Sequence, residues 1–324
     1  MSEIMKILHG VPQGSVLGPL LFILYINDIY NAIIHSSTFL FADDTGLLNS
    51  NTNLKTIQKQ LNIDLRSLFK WLCASKISLN VTKTEVVLFH SSNKKIDHEL
   101  KLKLNGKYLD LSKSVKYLGL EIDQHLSFTN HIKSLSVKLR SANGALSKIR
   151  HVANKSVLKT VFNSLFVSHL SYACQTWAQS INLNYSRIFK LQKAALRILT
   201  FSDFQAPSQP LFHQLNILQI SDMVKLRNLL LVHDILNAQS PADISDTYSL
   251  RGYNESHNTR GKTLGLLAKP QCRTTKFGIN SVIYQSILNW NDLQLHFKDT
   301  NLSLISRSKF QRLASNLFLD QYLT

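Results

Sequence analysis

The sequence predicts an α+β chain in three parts: an antiparallel-sheet region with covering helices over residues 1–123, an all-α basic bundle over 124–200, and a mostly helical, partly irregular region over 201–324. Three observations carry that prediction. Up to Asp123 apolar residues alternate around tight-turn dipeptides, and beyond it they recur at three and four, the change from strand to helix patterning. The basic excess is confined: net charge is +1 over residues 1–100, +13 over 101–200 and +3 over 201–324, within +17 for the 324 residues. Third, Thr38 to Leu48, T-F-L-F-A-D-D-T-G-L-L, places paired acids between two apolar runs, the pattern of a β-hairpin with two carboxylates at its bend.

Taken in order, Gly10 to Gly14, G-V-P-Q-G, is a loop. Pro19 suits a first helical turn, where its missing N–H costs nothing, and Leu20–Ile29 then reads as a buried helix running toward the acidic hairpin. A glycine-rich loop beside a helix start lets backbone approach a phosphate or base, although most such loops are only turns. The hairpin has two readings on its own residues. D-D-T-G is a soluble turn, or adjacent carboxylates, which repel unless a cation neutralises them, are a site for a hard divalent cation such as Mg²⁺.

Leu54, Ile57, Leu61, Leu65, Leu68 and Leu72 recur at three and four and predict a helix over about Asn53–Ser75 that covers the sheet. Alternation predicts a strand over Glu85–Phe89. Asn105-Gly106, between alternating residues, predicts a two-residue hairpin, and Val115–Ile122 predicts a further strand with Gly119 as a bulge. Past Asp123, Phe128, Ile132, Leu135, Leu139, Ala142, Leu146 and Ile149 form one stripe. Helices over about Ser156–Tyr172 and Tyr185–Thr200 follow, then a proline-bearing linker after Phe201 and a helix over about Asp222–Asn237. Tyr248–Lys276 is Gly-, Asn- and Thr-rich and predicts a long loop or irregular segment. Neither H-N-T-R at His257–Arg260 nor the segment Ser286–Leu293 carries assignable chemistry.

Composition narrows the function class. Cys73, Cys174 and Cys272 lie far apart, which excludes a disulfide framework or a zinc motif and fits a reducing compartment. The first residues lack the apolar core of a signal peptide, and the longest apolar run, Val16–Ile26, is too short to span a bilayer. The expectation is an intracellular protein of nucleus or cytoplasm, neither secreted nor membrane-bound. Basic residues within patterned, core-forming segments point to a polyanion, nucleic acid rather than membrane. A solvated face is the ordinary reading of Lys133, Lys138, Arg140, Arg187, Lys190 and Lys193, but their concentration favours phosphate contacts.

G-V-P-Q-G-S-V-L-G-P-L-L-F-I-L-Y-I-N-D-I followed by F-A-D-D-T resembles the consecutive B and C motifs of reverse transcriptases from non-LTR (LINE, jockey-like) retrotransposons. The resemblance implies that Asp43 and Asp44 bind catalytic Mg²⁺, two ions in the complete enzyme, and that Pro12, Gln13 and Gly14 shape the nucleotide and template pocket. It further implies that Lys83, otherwise a solvated loop lysine, lies near the incoming phosphates. Tyr117-Leu118-Gly119, otherwise an ordinary strand with a bulge, would grip the primer. The implied architecture is a truncated polymerase palm over 1–123, a helical thumb over 124–200 and a helical C-terminal region over 201–324. The implied partners are RNA template, DNA primer and deoxynucleoside triphosphates.

In that family the fingers and an A motif with another metal-binding aspartate precede the G-V-P-Q-G loop by many tens of residues, whereas nine residues precede Gly10 here. Two-ion phosphoryl transfer holds its ions about 3.5–4 Å apart, more than adjacent aspartates alone can arrange. Asp28, the nearest spare carboxylate, reads as a cap or surface residue. The expectation is therefore an RNA-directed DNA polymerase fragment, inactive alone and completed by an upstream segment carrying fingers and A motif. The alternative is a non-catalytic nucleic-acid-binding remnant.

Overall fold

Asn105 and Gly106 adopt φ of 48° and 78°, the pair of positive values that a two-residue hairpin turn requires. The hairpin predicted there forms in the computed structural model of the chain, which describes residues 14–96, 98–179, 183–247, 265–298 and 300–323. The architecture mixes helices with small two-stranded sheets. It divides into two units, Met1–Lys116 with Asp123–Leu126, and Tyr117–Ile122 with Ser127–Thr324.

The first unit contains helix α1 (Gly18–Ile26), strands β1 (Ser37–Phe41) and β2 (Asp44–Leu48), helix α2 (Leu54–Ala74), and strands β3 (Leu102–Leu104) and β4 (Lys107–Leu109). Pro19 stands in the first turn of α1, and Ser15 Oγ accepts from Gly18 N at 3.1 Å, so the helix start is satisfied as its sequence suggests. Helix α2 is the organiser. Its stripe packs Leu65 with Leu100, Leu102, Leu104 and Leu109, and Leu68 and Leu72 with Ile29, while Leu47 of β2 touches both clusters. Its polar residues close the backbone of β3: Gln58 Oε1 accepts from Lys101 N at 2.8 Å, and Asn62 accepts from Lys103 N at 2.8 Å and donates to Lys101 O at 3.0 Å. Covering a strand edge in this way removes unpaired N–H and C=O groups.

Two sequence expectations fail here. Helix α1 is not buried: only Gly18 and Ile26 are, and Leu20, Ile23 and Leu24 are 52–65% exposed. Its side chains are apolar on every side, so one neighbouring layer cannot cover them all. Residues Glu85–Phe89 form no strand; Val86 makes an isolated parallel bridge to Leu111 and its neighbours find no ladder partner.

The chain continues through β5 (Ser114–Tyr117) and β6 (Leu120–Asp123), which form a two-stranded sheet. This corrects the single strand expected over Val115–Ile122. Leu118 and Gly119 have φ of 45° and 80° and make the turn between two strands instead of a bulge within one. The second unit then runs through α3 (Thr129–Ile149), α4 (Lys155–Phe162), α5 (Ser168–Ser171), α6 (Cys174–Trp177), α7 (Leu183–Thr200), α8 (Gln209–Leu215), α9 (Ile220–Leu236), α10 (Ala242–Thr247), α11 (Val282–His296) and α12 (Arg307–Asp320). Helices α4 and α5 are the ends of the predicted Ser156–Tyr172 helix, joined by a π-helical turn at Asn163–Val167. That turn keeps Phe162 and Phe166 stacked at 5.2 Å inside the core. Helix α3 packs along α7, with Asn143 donating to Leu191 O at 3.0 Å. A second core joins α9, α11 and α12 around Trp290 and Phe310. Buried Asp222 accepts from Tyr322 Oη at 2.6 Å and ties the chain end to α9. The predicted irregular segment over Tyr248–Lys276 lies outside the described residues up to 264; from Gly265 to Thr274 it contains no helix or strand. Among the described residues no helix is long and apolar enough to cross a membrane.

Candidate functional site

The acidic hairpin is built from its root upward. Asp64, fully buried on α2, accepts from Ile34 N at 3.0 Å, His35 N at 3.2 Å and Ser36 Oγ at 2.6 Å, fixing the three residues that lead into β1. Asn49, just past β2, donates to His35 O at 3.2 Å and closes the same root. Between these anchors the strands pair in one register, Thr38 with Leu47, Leu40 with Thr45, and Phe41 with Asp44. Side chains alternate between faces of a strand. Leu47 packs into the α2 core, so Thr38, Leu40 and Thr45 share its face, and Asp44 lies on the opposite face with Phe39, Phe41 and Gly46.

Asp43 occupies the two-residue turn with Ala42, whose φ is 50°. A side chain in that left-handed region costs about 1 kcal/mol or more. Both carboxylates are exposed, and among the described residues neither forms an ion pair. The donor chemistry, hard carboxylate oxygens on two successive residues at the end of the hairpin, fits a divalent cation such as Mg²⁺. The donor number is smaller than a two-ion centre needs: among the described residues no three His, Cys, Asp or Glu side chains gather where they could hold a metal. Asp28 is exposed beside a 3₁₀ turn and caps nothing with its side chain.

Of the other residues singled out by sequence, Pro12 and Gln13 lie outside the described residues. Gly14 is exposed with φ of 85°, the conformation glycine adopts freely. Lys83 is exposed at the end of a 3₁₀ turn, Val81–Lys83, that Asn80 caps by accepting from Thr82 N at 3.2 Å. It shares the first unit with the hairpin and makes no ion pair with Asp43 or Asp44. Tyr117-Leu118-Gly119 forms the β5–β6 corner, where Tyr172 Oη donates to Leu118 O at 2.6 Å and the Tyr172 ring lies 3.6 Å from where a Gly119 Cβ would stand.

On the second unit, Lys133, Lys138 and Arg140 are exposed on α3, and Arg187 and Lys190 on α7. Lys193 is half-buried, its ammonium 4.8 Å from the Phe189 ring centroid. Cys174 is no nucleophile: burial pushes its thiol up to about 11, well above neutral pH. Sequence reasoning missed Asp64. The signal was present, since an acid at position 64 sits within the stripe formed by Leu61, Leu65 and Leu68.

Residues 2–122 match the family described as Reverse transcriptase (RNA-dependent DNA polymerase). The chain is 27% identical over 228 residues to "Probable RNA-directed DNA polymerase from transposon BS" of Drosophila melanogaster, covering 66% of this chain and 25% of that protein. It is 24% identical over 238 residues to the RNA-directed DNA polymerase from mobile element jockey of the same fly, covering 70% and 25%. It is 24% identical over 208 residues to the Pol polyprotein from type-1 retrotransposable element R1 2 of Nasonia vitripennis, covering 60% and 48%. The chain thus spans about a quarter of the length of the first of these relatives. No solved structure matches. The similarity of residues 2–122 is to reverse transcriptase domains, and that of the longer alignments is to the polymerases of transposon BS, jockey and R1 elements.

Proposed function

We propose that this chain is part of an RNA-directed DNA polymerase of a non-LTR retrotransposon, acting in nucleotidyl transfer to a primer 3′-hydroxyl. The single observation that carries the reading is the rooted hairpin: adjacent, exposed carboxylates at a two-residue bend whose base is held by buried Asp64. Asp43 and Asp44 would hold Mg²⁺, which when bound neutralises phosphate oxygens during transfer. Pro12, Gln13 and Gly14 would line the nucleotide pocket, Lys83 would approach the incoming phosphates, and Tyr117-Leu118-Gly119 would hold the primer end. Residues 1–123 are read as palm, 124–200 as thumb and 201–324 as a helical C-terminal region. The thumb's Lys133, Lys138, Arg140, Arg187, Lys190 and Lys193 would contact the phosphate backbone of primer and RNA template.

The donor shortage sharpens the proposal. Two carboxylates serve one ion poorly and two ions not at all, and among the described residues no third joins them; the further carboxylate is read here as coming from an upstream fingers and A-motif segment. The exposed apolar surface of α1 with Phe39 and Phe41 suits cover by such a segment. Primer extension on an RNA template tests this with the chain alone and joined to the corresponding upstream segment of a relative. The expected result is salt-dependent binding without extension by the chain alone. Extension by the joined protein should fall at least about 10²–10³-fold in Asp43→Ala or Asp44→Ala. Extension that survives both substitutions overturns the assignment. The second reading, nucleic-acid binding without catalysis, is favoured by the same two-carboxylate count; its mark is binding by the joined protein with no extension.

A further inference from the structure

Between Asp123 and Asp203 the chain has eleven Lys and Arg and no acidic residue. The ion pairs of the described residues all lie outside this stretch. Helix α3, 21 residues, is about 30 Å long at 1.5 Å per residue. Lys133, Arg140 and Lys148, exposed and seven to eight residues apart, mark one face of it. The end of this track, where the turn after α3 meets the turn after α7, is aromatic. The Arg150 guanidinium lies 4.6 Å from the Phe201 ring centroid, and His151 meets the same ring edge-on at 6.5 Å. Three residues on, Phe204 is 82% exposed. Arg197 sits 5.9 Å from its ring centroid and is pinned by donating through Nε and Nη2 to Ala206 O at 3.0 and 2.7 Å. The one acid here, Asp203, is used by the turn, its Oδ1 accepting from Gln205 N at 3.3 Å.

A ring as open as Phe204, held by an arginine, has no role in a core. It offers a flat face beside fixed positive charge, the combination on which unpaired bases stack while phosphates are neutralised. Paired bases inside a duplex keep their faces against one another, so the track attracts any nucleic acid but the aromatic corner serves only an unpaired strand. A lipid surface would also accept exposed Phe204 and Val152, yet it would touch the corner and leave the 30 Å track, about the length of α3, without use. We propose that Phe204 and Phe201, with Arg150 and Arg197, form a stacking platform for the unpaired bases of an RNA strand whose backbone follows the basic face of α3. This rests on the nucleic-acid reading of the second unit and adds to it a site and a strandedness.

The test is fluorescence anisotropy of the full chain with a labelled unstructured RNA oligonucleotide and with a blunt duplex of the same sequence, beside sedimentation with anionic phosphatidylserine vesicles. Phe204→Ala, a surface change, should weaken single-strand binding about tenfold and leave duplex binding within about twofold. Phe204→Trp should restore it. Joint Lys133→Gln, Arg140→Gln and Lys148→Gln should weaken both RNAs and flatten their salt dependence. Equal losses for strand and duplex in Phe204→Ala, or no loss in either, overturn the platform while leaving nucleic-acid binding intact. Salt-dependent binding to neither RNA overturns the underlying reading, and vesicle binding lost in Phe204→Ala would assign the corner to a lipid surface.

Discussion

Helices α1 and α3 have opposite relations between composition and burial. Helix α1 has seven consecutive apolar side chains, Leu20 to Ile26, yet only Ile26 among them is buried. Helix α3 interleaves Lys133, Lys138, Arg140 and Lys148 with apolar residues and buries five of these, including Leu139 and Leu146 at 0% exposure. Burial follows the match between an apolar stripe and one neighbouring surface, not the amount of apolar side chain. In α3 the stripe is covered by α7 together with α4, α5 and the π-helical turn between them. Helix α1 has no polar side to leave in water, so whatever its neighbours do not reach stays exposed.

Matched truncations test this contrast most strongly. Leu139→Ala should cost about 2–5 kcal/mol, because the removed atoms were fully buried and the surrounding core collapses only in part. Leu24→Ala, at a side chain 65% exposed, should stay within about 0.5 kcal/mol. Urea unfolding followed by hydrogen exchange in each unit separates the two values, which a single global transition would blur. A loss at Leu24 as large as that at Leu139 would mean that α1 is covered in solution.

The same contrast explains what was legible beforehand. The stripe of α2, the Asn105-Gly106 turn and the length of α3 were readable because each is set by residues a few positions apart. The acidic hairpin was readable for the same reason. Of its root, the stripe of α2 signals that Asp64 is buried, but its partners Ile34, His35 and Ser36 lie about thirty residues back, and local periodicity carries no information about them. Tyr172, 54 residues from Leu118, decides that Y-L-G caps a corner. The basic third is visible as charge, but Phe204 lies in the proline-bearing linker after Phe201, and nothing in the local sequence sets Arg150 and Arg197 over the two rings. The α1 error had the reverse origin: composition was read as burial.

An intermediate effect is expected at the hairpin root. Asp64→Ala leaves two backbone donors and the Ser36 hydroxyl without their acceptor, which should cost about 1–3 kcal/mol. Hydrogen exchange should quicken over residues 33–49 while α3 and α7 stay protected. If it does not, the hairpin is held by its strand pairing and by Leu47 alone, and Asp64 is not a positioning residue for Asp43 and Asp44.

The smallest effect concerns pH and the packed side of α3. His131 stands in its first turn, half-buried, with its ring 5.9 Å from that of Trp177 and its Nδ1 3.5 Å from Glu121 N. Burial, and secondarily the charge of Lys138, holds its imidazole below the usual histidine range, against a weaker opposing pull from Glu121. In the unfolded chain the group should titrate near about 6.5. Below that value the unfolded state binds more protons than the folded one, so the second unit should lose stability as pH falls from about 7 toward the folded pKa, and the loss should level off beneath it. A histidine facing an anionic partner would give the opposite slope. The measurement is the urea midpoint of the second unit at about pH 7.5 and about pH 5.5, on either side of the unfolded value, in the native chain and in His131→Gln. Glutamine stays neutral and can still accept from Glu121 N, so the variant should keep its midpoint near neutral pH and lose less of it in acid. An unchanged acid loss would assign the sensitivity to other groups, and a native chain that outlasts the variant in acid would show that Glu121, not burial, dominates the site.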